Sequence, residues 1–134
     1  MAAARRCKDC PPGARRPAPH PGPRCATHHR AENRRRREAA HERSAQRTYG
    51  LGPGEYARLY AVQGGRCAIC RRATGATRRL SIDHNHRDGA VRGLLCRPCN
   101  SMLGHARDSV LFFSRAMAYL GDPPARQLKE GGDG

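Results

Sequence analysis

A small α+β fold stapled by metal is predicted by three features of this sequence. Two Cys-x-x-Cys pairs, Cys67/Cys70 and Cys96/Cys99, stand 25 residues apart, and the segment between them has a hairpin pattern. Only 37% of the 134 residues are apolar, with no Trp and four Tyr plus two Phe. At this length such a thin core is marginal by burial alone. Four thiolates presented by two tight turns can close a tetrahedral zinc shell and supply what burial does not.

The seven cysteines raise disulfides as the alternative. Their number is odd, six of them fall into Cys-x-x-Cys pairs and the seventh into a Cys-x-x-His group, and Met1–Cys7 has no apolar leader. Zinc thiolates in a reducing compartment, the cytoplasm, are therefore expected. No run of about 18 apolar residues exists, so a membrane-spanning helix is not expected. The formal charge is +15, carried by 24 Arg with only Lys8 and Lys129 beside them. Guanidinium suits bidentate phosphate contacts. The expected partner is a polyanion, with nucleic acid ahead of an acidic membrane surface.

Residues 1–29 are rich in Pro and read as a zinc-ribbon or knuckle-like module. Cys7 and Cys10 make one half-site and Cys25 and His28 the other, with His29 as the alternative fourth ligand. The competing reading is a disordered Pro/Arg arm. Residues 30–49 have helix formers but no apolar stripe, and contain Arg34-Arg35-Arg36-Arg37. A helix polar all round is a solvated linker or meets a charged partner, and phosphate tracking along DNA is the functional expectation. The first 49 residues hold 13 basic and 4 acidic side chains.

The main domain is expected over 50–121. Pro53 suits the first turn of a helix to about Gln63, with Tyr56, Leu59, Tyr60 and Gln63 on a core face, and Gly64-Gly65 stops it. Residues 71–79 read as a polar loop. Leu80–His84 reads as a strand, Asn85–Gly89 as a turn and Ala90–Leu95 as the return strand. A helix starting near Cys96 or Pro98 should carry Asn100. Ser109 is a good N-cap for a last helix to about Leu120. There Val110, Phe113, Met117 and Leu120 keep helical spacing and are expected in the core. Residues 122–134 read as a disordered tail.

A hairpin followed by a helix, with His at the end of the first strand and Asn on the helix, is the ββα-metal arrangement. Hydrolysing a phosphodiester needs a base for water and a cation for the charge developing on phosphate. The Asp83 carboxylate and the Asn100 carbonyl are oxygen donors suited to Mg²⁺ or Mn²⁺. His84 can stay neutral and take the proton. Asp83 and His84 are neighbours, which a regular strand would point to opposite faces. Both serve one site only if the strand ends or bulges there. His105 would lie about 140° around the helix from Asn100, on a surface or DNA-facing side. Arg87, Arg92 and Arg97 are candidate phosphate contacts.

From about Tyr49 to Leu120 the chain resembles the phage recombination endonuclease VII family, within the His-Asn-His (HNH) nucleases. The resemblance rests on Gly64–Cys70 (GGRCAIC), Ile82–His86 (IDHNH), Val91–Asn100 (VRGLLCRPCN) and Leu103-Gly104. It implies zinc at Cys67, Cys70, Cys96 and Cys99, a catalytic Mg²⁺ at Asp83 and Asn100, and His84 as general base. His86 matches a further histidine that steadies the scissile phosphate. Two positions depart from the pattern. Ser81 stands where the phage enzyme carries another active-site His, and Leu103 where it carries a metal-proximal acid. Strand cleavage of DNA, with branched recombination intermediates as one substrate class, is the leading expectation. The alternative is a non-catalytic zinc-finger DNA-binding protein. Paired cuts would call for two active sites, hence a homodimer or two binding events.

Overall fold

A computed structural model of the chain describes residues 5–19, 22–73, 78–126 and 128. In chain order these form α1 (Ala26–Tyr49), α2 (Glu55–Val62), β1 (Ser81–His84), β2 (Val91–Leu95), α3 (Arg97–His105) and α4 (Val110–Gly121). Short 3-10 turns lie at Pro12–Ala14 and Pro124–Arg126. Four α-helices and a two-stranded sheet make this a small α+β protein. Residues 74–77 of the expected polar loop and 129–134 of the expected tail lie outside the described residues. The chain divides into two compact units, Met1–Tyr56 and Ala57–Gly134.

In the first unit Cys7, Cys10 and Cys25 form a buried cluster. Around it the strand-like segments 5–8 and 16–18 exchange backbone hydrogen bonds, with the Cys7 N–H donating to Arg16 O at 2.9 Å and the Ala18 N–H to Arg5 O at 2.9 Å. The helix α1 begins four residues before position 30, where propensity alone starts it. Cys25 is extended and acts as the N-cap residue, so its thiol stays with the knuckle while His28 enters the first turn. The far end is closed by Gly50 at φ +70°, whose N–H bonds Gln46 O. Glycine takes this left-handed cap without a Cβ penalty. Ala45 is the one buried residue of α1, as expected of a helix lacking an apolar stripe.

The second unit centres on the hairpin. β1 and β2 pair antiparallel with Ile82 opposite Leu94 and Asp83 opposite Gly93, after which the register shifts so that His84 faces Val91. Arg92 is thereby the extra residue of a β-bulge. The turn matches the sequence reading. The Asn85 N–H donates to Ala90 O, and the Asn85 and Asp88 side chains accept from the N–H groups of Arg87 and Ala90. Leu80, Ile82, Leu94, Leu95, Cys67 and Cys99 are buried. Each large aliphatic side chain among them contributes roughly 2 kcal/mol of burial.

Gln63 ties the hairpin to the end of α2. Its amide donates to Arg66 O at 2.8 Å and Leu94 O at 2.9 Å, and its carbonyl accepts from the Leu94 N–H at 2.8 Å. The same carbonyl oxygen lies 3.1 Å from where a Cβ on Gly93 would sit. That approach explains a glycine in mid-strand.

The expectation that α4 is a core helix is corrected. Ser109 caps it as predicted, accepting from the Phe112 N–H at 3.1 Å. Yet the helix has no buried residue, and Val110 and Leu120 are 82% and 77% exposed. Periodicity identifies which side of a helix is apolar, whereas burial depends on another element covering that side. α2 is also less buried than expected: Tyr60 is exposed, and Gln63 at its end is the residue that reaches the interior.

Candidate active site and metal centres

Among the described residues, two groups of side chains have the donor set and spacing that could hold a metal ion. In the first unit Cys7, Cys10, Cys25 and His28 converge, and in the second Cys67, Cys70, Cys96 and Cys99. Within each group the ligand atoms all lie within 4.8 Å of one another. His28 Nδ1 is 3.3 Å from Cys7 Sγ, 3.5 Å from Cys10 Sγ and 3.3 Å from Cys25 Sγ. The thiols of Cys10 and Cys25 are 3.9 Å apart, and those of Cys70 and Cys96 are 3.7 Å apart. Ligand atoms on a tetrahedral zinc with bonds of about 2.3 Å to sulfur sit roughly 3.7 Å from each other, so both groups fit that ion. His29 turns the other way, its Nε2 3.0 Å from Asn33 Nδ2. The choice between the two histidines falls to His28.

The thiols carry their own argument for a cation. Burial raises the Cys7 thiol, but hydrogen bonds from the backbone at Cys25 and Asp9 outweigh it and leave it at about 6. Cys67 is likewise at about 6, burial being offset by the backbone at Cys96, Cys70 and Ile69. Cys99 is pushed up to about 12 by burial and then by the neighbouring thiols. Thiols this close cannot all ionise together, and a dication removes the conflict.

Local structure explains the convergence. Cys67 and Cys70 flank a turn closed by the Arg71 N–H to Cys67 O, with Arg71 at φ +61°. Cys96 is the N-cap residue of α3 and Cys99 sits in its first turns. The Ala68 N–H donates to Leu94 O, which holds the turn against β2.

Of the predicted catalytic residues, Asp83 and His84 end β1 and His86 follows in the turn. Asp83 is buried and His84 half-buried; the register shifts at the step between them, but its extra residue is Arg92 on β2 rather than a residue of β1. Asn100 is half-buried on α3, the helix that packs against β1. The rings of His84 and His86 are 4.8 Å apart and tilted by 52°.

Arg92 has a different setting from that of a surface cation. Its Nε donates to Asp83 Oδ2 at 2.7 Å and its Nη2 to Asp83 Oδ1 at 2.9 Å. The same Nη2 reaches Asp108 Oδ1 at 3.0 Å. The other oxygen of Asp108 is 3.0 Å from His86 Nδ1. A continuous chain, Asp83–Arg92–Asp108–His86, thus borders the site. The Arg92 guanidinium, then the His86 ring, hold the Asp108 carboxyl below the usual carboxylate range. His86, Arg92 and Asp108 line one open cleft of 790 Å³ together with Asn85, Arg87 and Arg107.

Sequence reasoning missed Asp108 and the clamp by Gln63. Asp108 lies between two helical patterns, in a turn where Arg107 and Asp108 both take positive φ, 51° and 54°. No spacing rule marks it. Asp is among the residues that adopt this conformation most readily, which is the only local hint. Arg87 and Arg97 are exposed, as are Arg34, Arg35, Arg36 and Arg37 on α1. His105 is exposed at the end of α3.

Set beside known proteins, residues 41–122 match the family model described as recombination endonuclease VII. The Gene 59 protein of Mycobacterium phage L5 is 51% identical over 126 residues, covering 91% of this chain and 77% of that protein. The Gene 59 protein of Mycobacterium phage D29 is 49% identical over 126 residues, covering 91% and 76%. No solved structure matches. The chain belongs to the recombination endonuclease VII family, and that membership implies a nuclease. Among the described residues no helix is long and apolar enough to cross a membrane.

Proposed function

We propose that this chain is a DNA endonuclease of the HNH, ββα-metal kind that hydrolyses phosphodiester bonds. The observation that carries the reading is the placement of Asp83 and His84 at the end of a strand packed by the helix that bears Asn100. Asp83 and Asn100 offer the oxygen donors that Mg²⁺ or Mn²⁺ takes. When bound, that ion offsets the negative charge developing on the phosphate and on the leaving oxygen. His84 accepts the proton of the attacking water at a ring nitrogen. His86, its other side held by Asp108, steadies the phosphate. Two cysteines on each side of the hairpin, Cys67/Cys70 and Cys96/Cys99, bind zinc structurally, and a second zinc sits at Cys7, Cys10, Cys25 and His28.

A carboxylate has about four lone-pair positions, and Arg92 uses two on Asp83. A cation held there would share the carboxylate with the guanidinium. The products are a 5′-phosphate and a 3′-hydroxyl, as the family resemblance implies, and branched recombination intermediates are a substrate class to test. Two cuts on opposite strands call for a homodimer or two binding events. Relatives named from phages favour action on DNA in the cytoplasm of an infected cell.

A non-catalytic DNA-binding protein is the second reading, favoured by one observation: the Asp83 carboxylate already has a counter-ion in Arg92. Supercoiled plasmid incubated with purified protein, with and without Mg²⁺, decides between them. Mg²⁺-dependent nicking that His84→Ala abolishes is expected. Nicking that is absent, or unchanged in His84→Ala, sinks the nuclease reading and leaves the binding protein.

A further inference from the structure

Wound into α1, the run Arg34–Arg37 separates into two unlike halves. At about 100° per residue, Arg35 and Arg36 fall on either side of Glu32. The Glu32 carboxylate accepts from Arg35 Nε and Nη2 and from Arg36 Nε, each at 3.0 Å. Arg24 stands 3.9 Å from it. Arg35 and then Arg36 hold the Glu32 carboxyl at about 2. These arginines are the helix's own ion-pair partners.

The opposite side differs. Arg34 and Arg37 lie about 40° and about 20° to either side of Arg30, on a line roughly 10 Å long. All three are exposed, and among the described residues none of their side chains makes a hydrogen bond or ion pair. The line starts just past His28, whose ring joins the cysteine cluster. It stops at His41, the next residue on the same side, which meets the Tyr56 ring edge-on at 4.5 Å. Like charges at i,i+3 and i,i+4 destabilise a helix. Glu38, four residues after Arg34, is the one acid near that side, and a bound polyanion would offset the remaining repulsion.

We propose that Arg30, Arg34 and Arg37 form a phosphate-binding line that grips the backbone of duplex DNA, while Arg35 and Arg36 serve Glu32. The proposal rests on the DNA-acting reading above and adds an element to it, because the family match begins at residue 41. Charge complementarity selects the partner: three aligned, unneutralised guanidiniums suit a regular array of phosphates. The ligand cluster at Cys25 and His28 gives the first turn a fixed origin, so the line is presented without ordering a loose arm.

The test compares two double variants of the full zinc-loaded chain that remove the same charge from the same run. Binding to a labelled duplex is measured across a salt series with no added Mg²⁺, and helicity is followed by circular dichroism. Arg34→Gln/Arg37→Gln should lower the slope of log K against log salt by about 1.8, and affinity on the order of tenfold at moderate salt. Arg35→Gln/Arg36→Gln should leave the slope close to that of the unaltered protein. Arg30→Gln alone should lower it by about 0.9, which keeps the proposal testable if freeing Glu32 unfolds α1. Equal losses in the two double variants, or a full slope in Arg34→Gln/Arg37→Gln, overturn the line while leaving plasmid nicking untouched. A folded protein that neither binds nor nicks DNA defeats the underlying reading as well.

Discussion

Arg92 grips both carboxylate oxygens of Asp83, at 2.7 and 2.9 Å, from the bulge position that its own insertion creates in β2. The Asp83 side chain is 8% exposed and that of Arg92 is 35% exposed. A carboxylate so placed needs a partner. The pair accounts for a buried acid at a strand end without invoking any ligand. It also places a fixed positive charge beside the position where phosphate is proposed to bind.

Removing the guanidinium should therefore cost stability. Arg92→Gln is expected to destabilise by about 2 kcal/mol, below the figure for a fully buried pair because Arg92 is partly solvated. Chemical denaturation of the zinc-loaded protein measures it. A loss no larger than that of Arg87→Gln, an exposed neighbour, would show that Asp83 does not depend on this partner.

Gln63 and Gly93 should behave as a coupled pair. Gln63→Ala leaves the buried Leu94 N–H without an acceptor and is expected to cost about 2 kcal/mol. Gly93→Ala pushes a methyl group onto the Gln63 carbonyl, which is pinned by Leu94 and has no room to yield. The double variant should cost less than the sum of the two, because Gln63→Ala removes the atom being struck. Strict additivity in a double-mutant cycle contradicts this account.

Metal analysis should find two zinc ions per chain. Cys10→Ser and Cys70→Ser should each lose one equivalent. Zinc binding at such sites is worth roughly 10–16 kcal/mol, comparable with the whole stability of a small protein. Chelation should accordingly abolish cooperative unfolding. One equivalent that Cys10→Ser leaves unchanged rejects the first cluster, and a cooperative melt after complete zinc removal rejects the structural role.

Acid should weaken α1 through Glu32. Its carboxyl is held at about 2 by Arg35 and Arg36, against about 4.3 in an unfolded chain. A depressed folded value means the stabilisation is complete above the unfolded one and is lost as pH falls from about 4.5 towards 2. Over that interval the unaltered protein should lose more stability than Glu32→Gln, in which no such proton is taken up. Parallel pH profiles by circular dichroism of the two proteins would falsify the assignment.

Asp108→Asn tests the bordering chain of polar groups. Its carboxyl is depressed by Arg92 and then by His86, so the variant should keep its zinc content and lose part of its nicking activity. Activity identical to that of the unaltered protein would show that His86 works without this support.

Much of this protein was legible from local patterns. Cysteine spacing located both clusters, because Cys-x-x-Cys and Cys-x-x-His bring two ligands together across a single turn. The Asn85–Gly89 turn, the Ser109 cap and the order β1, β2, α3 followed from short-range turn and capping chemistry. Each is settled within a few residues of the signal.

What needed the tertiary structure was every relationship between distant residues. Periodicity marked an apolar side on α4, but no described element buries it. The run Arg34–Arg37 was one charge cluster in sequence, and only the helix with Glu32 divided it between two sides. Arg92 is a candidate phosphate contact in the sequence, and only the structure gives it Asp83 and Asp108 as partners. The choice of His28 over His29 depended on which ring faced Cys7 and Cys10. A sequence states which groups a segment offers; which of them meet is decided by long-range packing, where several partners compete for one charge and geometry selects among them.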